Sequence, residues 1–436
     1  MRNFIALLLC ALSADIASAA PQSHPDFDRH FADSTLRIDY MFSGTNRTQN
    51  IAVSGMSKTR TWYGRRVNLN KLLLGGNGQL TMLDAATGDT IYRLSFSTLF
   101  QEWQSTEEAT HLVRSFEAPF IVPLPHTRVE MICTLLDTHN HVTSELRHTI
   151  DPTDILIRDR SSERQTPWRY VRQSGDSQDC IDVAFVAEGF TDDEMPEFLA
   201  MCDSSITAIT AHEPYASLID RFNFVAIMPE SNENGISIPR LNRWYDTALS
   251  SHYDTFYSDR YLTIPSVGRL YDICTGLPFE HFIILANTKE YGGGGIYNSY
   301  TIASARSSRS KLEVIVHEFG HSFGGLGDEY YYDDQYETMY PSDTEPWEPN
   351  LTTLLDFASK WQDMLTPGTP IPTPADGHNL TTHVGVYEGG GYQSKGVYRP
   401  TQECRMKINE VKEFCPVCQR AIRRLIDFYT QGNTTR

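Results

Sequence analysis

The chain has 436 residues and a formal net charge of -18, with 40% hydrophobic and 21% charged residues. That balance is globular rather than disordered, and the length predicts two or three domains with sizeable cores. The acidic excess argues against nucleic acid or an anionic membrane surface as a partner, because phosphate binding needs clustered Lys and Arg.

The N-terminus reads as an export signal over residues 1–19. Arg2 precedes an apolar run from Phe4 to Leu12, and small residues end at Ala17-Ser18-Ala19. A charged start, a short apolar core and an A-x-A site make a secretory leader, so the expected localisation is exported (secreted, periplasmic or cell-surface). A lipoprotein reading through Cys10 is the alternative. No other apolar run approaches the ~18 residues of a bilayer span, so no integral membrane span is expected.

Residues 20–157 read as an N-terminal β-sandwich domain. Short alternating runs, such as Leu36 to Phe42 and Val129 to Leu135, are separated by turn signals at Ser43-Gly44-Thr45-Asn46, Gly75-Gly76-Asn77-Gly78 and Thr87-Gly88-Asp89. The polar stretch 158–169 reads as a linker. Residues 170–436 then change to an α/β texture, giving a multidomain α+β or α/β chain. Ile181 to Ala187, Phe224 to Met228 and His281 to Ala286 are predicted strands, the last apolar enough for burial on both faces. Asp193 to Ala211 is helix-like, and the Pro- and Thr-rich stretch Thr366 to Asp376 reads as an irregular surface excursion.

The informative stretch is Lys311 to Phe323. Leu312, Ile315, Val316, Phe319 and Phe323 recur at helical spacing, with Ser310 as the expected N-cap. His317 and His321 then lie one turn apart on one face and can bind one metal ion. Glu318 follows the first histidine, which places a carboxylate beside the water that the ion would activate, as a general base. This HExxH pattern suits zinc, whose catalytic sites take three protein ligands. Gly324-Gly325-Leu326-Gly327 permits a sharp turn, and Asp328 follows as the expected third ligand, with Glu329 next. A Glu from a later helix, Glu337 or Glu345, is the gluzincin-like alternative. The acidic, tyrosine-rich stretch Glu329 to Glu337 reads as a solvated loop, with calcium binding as its alternative.

Upstream, Tyr291 leads into Gly292-Gly293-Gly294-Gly295, which reads either as an edge strand open to an extended substrate backbone or as a flexible loop. Downstream, Cys404-Arg405-Met406 is a candidate Met-turn beneath the metal, and Val417, Ala421, Ile422, Leu425 and Ile426 outline a final amphipathic helix. The order of active-site helix, acidic ligand, excursion, Met-turn and C-terminal helix fits a metzincin-like subdomain. Beyond Cys10, seven cysteines remain, so at least one is unpaired within the chain. Cys404, Cys415 and Cys418 cluster, and a disulfide from Cys404 to one of the pair is the first reading. A redox CxxC would need a βαβ context, and a zinc site would need a fourth ligand.

At these residues the chain resembles the IgA-peptidase-like family of secreted bacterial zinc metallopeptidases. The matching segments are His317-Glu318-Phe319-Gly320-His321, Gly325 to Tyr330, Tyr387 to Tyr392, Tyr398-Arg399-Pro400, Cys404-Arg405-Met406 and Phe414 to Cys418. Phe116 to Phe120 resembles that family's N-terminal β-sandwich module. The resemblance implies a zinc endopeptidase in which His317, His321 and Asp328 bind the metal and Glu318 is catalytic. It names IgA for one activity and does not make IgA the substrate here. Host glycoproteins and immunoglobulins are candidate substrates, and the N-terminal domain is a candidate binder of a cell-surface or host-glycoprotein ligand. Tyr398, Tyr392 and His383 are candidates for the second stabiliser of the oxyanion, with Tyr398 placed first. A surface-binding protein with a degenerate protease domain and a gluzincin-like exopeptidase are the competing readings.

Overall fold

The computed structural model describes residues 25–306, 312–333 and 339–431. The leader at residues 1–19, the N-cap expected at Ser310 and the alternative ligand Glu337 lie outside them.

A short helix, α1 (Pro25–His30), runs into β1 (Phe31–Gly44), whose central residues alternate: Leu36, Ile38, Tyr40 and Phe42 are buried while Arg37, Asp39 and Met41 are less so. Alternation buries one face of a strand and leaves the other wet. β1 pairs antiparallel with β2 (Gln49–Arg60), and β3 (Gly78–Asp84) pairs antiparallel with β4 (Thr90–Phe96). The short helix α2 (Leu99–Trp103) buries Phe100 and Trp103, and the Thr98 side chain caps it by accepting from the Gln101 amide. β5 (Arg114–Pro125), β6 (Val129–Leu136), β7 (Val142–Ile150) and β8 (Arg158–Asp159) complete two four-stranded sheets, ordered β5-β1-β2-β8 and β4-β3-β6-β7. Leu36, Ile38 and Phe42 of the first sheet share one buried cluster with Leu80, Met82, Met131 and Leu135 of the second.

The stretch 158–169 is not a plain linker. It begins as β8, parallel to Ser57 and Lys58, and ends in β9 (Trp168–Arg172), antiparallel to Phe224–Ile227. Polar side chains do not prevent pairing at a sheet edge, where the backbone bonds inward and the side chains meet solvent.

The second half is built on a six-stranded sheet ordered β13-β14-β12-β10-β11-β9. Its centre is β10 (Ile181–Glu188), β11 (Phe222–Ile227) and β12 (His281–Ala286), mutually parallel and buried throughout, close to the three predicted strands. β14 (Tyr300–Ser304) adds in parallel, while β13 (Gly293–Ile296) and β9 form antiparallel edges. One face carries Val183, Phe185 and Ala187 against α3 (Met195–Thr210), α5 (Glu313–Ser322) and α6 (Pro416–Thr430). The other face carries Ala184, Val186 and Ile284 against α4 (Val267–Ile273). Odd and even residues thus feed two cores. β15 (Tyr331–Tyr332), β16 (Tyr387–Gly390) and β17 (Tyr392–Arg399) make a small sheet ordered β15-β17-β16.

The two halves are tied by polar contacts: Trp347 Nε1 donates to Asn77 Oδ1 at 2.6 Å, Asn298 Nδ2 to the Ser95 carbonyl at 2.8 Å, and Arg37 meets Asp272 at 2.7 Å. Among the described residues no helix is long and apolar enough to cross a membrane.

Candidate metal centre

α5 forms because Val314, Ile315, Val316 and Phe319 bury one stripe of it against the sheet. Leu312 occupies the N-cap position without a side-chain cap. The helix stops at Gly324-Gly325, where Gly325 takes φ +59° and a side chain would be strained. The Gly325 amide donates to the His321 carbonyl at 3.0 Å and the Leu326 amide to the Gly320 carbonyl at 3.1 Å, so the chain reverses over the last turn. The reversal carries Asp328 back to the histidines.

There His317 Nε2 lies 3.1 Å from His321 Nε2 and 3.1 Å from Asp328 Oδ1, and His321 Nε2 lies 3.2 Å from the same oxygen. Three ligand atoms on a tetrahedron with bonds of about 2.0–2.1 Å would be about 3.3 Å apart, so the donor set fits zinc in spacing and in type. The other ring nitrogens are committed. His317 Nδ1 donates to the Arg405 carbonyl at 3.0 Å and His321 Nδ1 to the Leu326 carbonyl at 2.6 Å. A carbonyl can only accept, so each Nδ1 carries the proton and each Nε2 lone pair is free for a cation.

The electrostatics agree. Burial opposes a charged His321, yet Asp328 and Glu318 overcome it and push this imidazole up to about 10. Burial also works against the Asp328 carboxylate, but the two histidines hold it well below the usual range. Burial raises the Glu318 carboxyl, with Asp328 adding to the rise and the histidines opposing it. The cluster is organised around a positive charge at its centre.

Asp328 is itself held. Its Oδ2 accepts from the Tyr392 hydroxyl, its carbonyl accepts from the Gly391 amide at 2.8 Å, and Tyr330 stacks edge-on against Tyr392 at 5.1 Å. Tyr392 stands at φ 67°, in the left-handed region that costs a bulky side chain about 1 kcal/mol or more. Beneath α5, Met406 packs against Gly320, where a Cβ would stand 2.7 Å from the sulfur. The Cys404-Arg405-Met406 turn thus holds His317 through the Arg405 carbonyl and fills the space under the helix.

The glycine run is a strand rather than a flexible loop, and its edge is already partly taken. The Gly293 amide and carbonyl pair with Arg260 and Leu262 at 3.3 and 3.4 Å. Its glycines serve close packing. A Cβ on Gly293 would lie 3.0 Å from Glu318 Cγ, and one on Gly295 would lie 2.3 Å from the Glu318 carbonyl oxygen. On the opposite side, Cβ atoms on Gly292 and Gly294 would lie 2.5 Å from the Tyr253 ring and 2.8 Å from the Tyr261 ring.

Of the other residues singled out by sequence, Tyr392 reaches the cluster and Tyr398 does not. Tyr398 stands further along β17, opposite Glu388 on one side and Thr352 on the other. His383 contacts the Tyr387 hydroxyl at 3.1 Å, and Glu345 accepts from the Leu355 and Asp356 amides at 3.0 and 3.1 Å. Glu329 is no solvated acid. It is fully buried and faces away from the histidines, toward Cys418 at 3.2 Å and Asn350 at 3.0 Å. The seven described cysteines form no disulfide.

One residue near the site had no signal in the sequence. Glu102 of α2, in the N-terminal half, bonds the Tyr261 hydroxyl and is electrostatically coupled to Glu318 and His321. Desolvation in this interface pushes its carboxyl up to about 7, against the Tyr261 contact. No local pattern could reveal a pairing between residues so far apart in the chain.

A comparison with curated proteins found no match. A family model described as Peptidase M64 N-terminus matches residues 26–147, and one described as IgA Peptidase M64 matches residues 170–381 and 375–426. The second covers more than half of the chain and contains the whole histidine–aspartate cluster, so this chain belongs to the IgA peptidase M64 family, a family of metallopeptidases.

Proposed function

We propose that this chain is an exported zinc endopeptidase that hydrolyses peptide bonds of protein substrates. The observation that carries this reading is the convergence of His317 Nε2, His321 Nε2 and Asp328 Oδ1 to within 3.1–3.2 Å, with Glu318 next to the first histidine on the same helix. His317, His321 and Asp328 would hold the zinc, which when bound supplies a Lewis acid that acidifies water and polarises the scissile carbonyl. Glu318 takes the proton from the attacking water and passes it to the nitrogen of the leaving amine. Its raised carboxyl suits a group that must both accept and return a proton. Tyr392 holds Asp328 through Oδ2, and the Arg405 and Leu326 carbonyls orient the two rings. The Met406 turn under α5 favours a metzincin-like arrangement, and the shared core of the two N-terminal sheets favours a β-sandwich. The sandwich would bind a cell-surface or host-glycoprotein ligand, and the substrates would be host proteins.

Glu318→Ala tests the reading. Casein cleavage should disappear while zinc content and thermal midpoint stay at the level of the unaltered protein. Equal, undetectable cleavage by both proteins would favour the non-catalytic binding alternative.

A further inference from the structure

We propose that Glu329, Cys404, Cys415 and Cys418 form a second metal site, a structural one that takes a tetrahedral thiophilic divalent ion such as zinc. Their four ligand atoms all lie within 4.8 Å of one another, and all four residues are buried. The Sγ atoms of Cys404 and Cys418 are 3.8 Å apart, and Cys418 Sγ is 3.2 Å from Glu329 Oε1. A tetrahedron with Zn–S bonds of about 2.3 Å has sulfur–sulfur edges of about 3.8 Å and, with Zn–O near 2.0 Å, sulfur–oxygen edges of about 3.5 Å. A disulfide would need its sulfurs at about 2.05 Å. The spacing is that of ligands around a common centre.

The surroundings suit thiolates. Cys415 stands at the N-cap position of the 15-residue helix α6 and Cys418 sits in its first turn, where the helix favours negative charge. The Cys415 amide donates to Cys404 Sγ at 3.3 Å. Pro416 stands at the first helical position, where its missing N–H costs nothing. Three thiolates and one carboxylate around a divalent ion leave a net charge of minus two. Buried Arg399 and half-buried Lys407 lie within electrostatic range of Glu329, and buried Arg405 lies within range of Cys404.

Without an ion the arrangement is poorly satisfied. Glu329 Oε2 is buried and has no hydrogen-bond partner, a costly state for a carboxylate in an apolar core. A redox role fits worse, because all three sulfur-bearing residues are 0% exposed and no partner thiol could reach them. A site here would pin three segments together: the loop that presents Asp328, the Cys404–Met406 turn that holds His317, and the start of α6.

Metal content of the intact chain tests the assignment. The unaltered protein should hold two zinc ions per chain, and the variant carrying both His317→Ala and His321→Ala should keep one. X-ray absorption of that variant should show three sulfur neighbours and one light-atom neighbour. Cobalt loaded into it should give a thiolate-to-metal charge-transfer band that Cys415→Ser abolishes. Because Cys415→Ser can fail to fold, the absorption spectrum of the double-histidine variant decides alone in that case. Zinc absent from the double-histidine variant, or a denatured, chelated chain with two fewer titratable thiols than cysteines, would overturn the proposal.

Discussion

Gly295→Ala puts the packing of β13 on α5 to a direct test. Gly295 does not sit at positive φ, so alanine suits its backbone, and a Gly to Ala change of that kind normally stabilises by about 0.4–1 kcal/mol. Here the added Cβ would meet the Glu318 carbonyl oxygen at 2.3 Å and His321 Cβ at 3.0 Å. Opening the first contact to even 3.0 Å moves strand and helix apart by at least 0.7 Å. The helix carries Glu318, His317 and His321, the proposed proton-transfer group and two of the three proposed metal donors, so the shift goes straight into the site. A misplacement of about 1 Å can cost roughly 10²-fold in rate, and overpacking costs about 1–3 kcal/mol in stability. The expectation is a 10- to 100-fold fall in kcat/KM on a fluorogenic peptide, with a lowered thermal midpoint. Gly55→Ala, in β2 with open space around its Cβ, is the control and should leave kcat/KM unchanged without lowering the thermal midpoint. A Gly295→Ala enzyme within about twofold of the unaltered protein, at equal zinc content, would refute the packing argument.

Tyr392→Phe removes the donor to Asp328 Oδ2, and loss of such a support typically weakens metal binding by about 10- to 100-fold, measurable by competition with a chromophoric chelator. Asp328→Ala should lose the zinc of the histidine site, whereas Glu345→Ala, whose carboxylate receives the Leu355 and Asp356 amides and the Thr353 hydroxyl and pairs with Lys360, should retain it. His281, wedged at 4.9 Å against Phe323 and 5.3 Å against Tyr429, is pushed down to about 3 by burial. Its folded pKa lies below the ~6.5 of the unfolded chain, so its contribution is present above pH 6.5 and is lost as pH falls toward 3. Between pH 6.5 and 4 that loss is on the order of 3 kcal/mol. His281→Phe should lose correspondingly less in urea denaturation with chelator present, and identical losses in the two proteins would contradict the assignment.

The parts legible in the sequence were those whose cause is local. β10, β11 and β12 could be read because strands buried on both faces must be continuously apolar, and α5 because two imidazoles one turn apart need a reason to share a face with Ile and Phe. The glycine run was ambiguous for a physical reason. Glycine is a poor strand former, and Gly293 to Ile296 is a strand because α5 and the Tyr261 ring press on it from either side. The three C-terminal cysteines read first as a disulfide because their fourth companion, Glu329, lies in a segment that local pattern assigns to solvent. Tyr398 and Tyr392 both stand in the Gly-rich segment as oxyanion candidates, and nothing in the local pattern separates them. The turn at Gly391 (φ 56°) and the left-handed backbone of Tyr392 decide which tyrosine reaches Asp328, and neither dihedral is visible in composition.

The contact between Glu102 and Tyr261 bears on how such a chain can change over evolutionary time. The two family models meet between residues 147 and 170, which looks like a seam along which modules could be exchanged. The chemistry does not divide there. A carboxyl group supplied by the first module lies within electrostatic range of the histidine and glutamate of the second. A chimaera that imported a foreign first module would alter the charge beside the reaction site as well as any ligand bound outside it. The halves are therefore expected to be inherited together, and drift in α2 is expected to be answered at Tyr261.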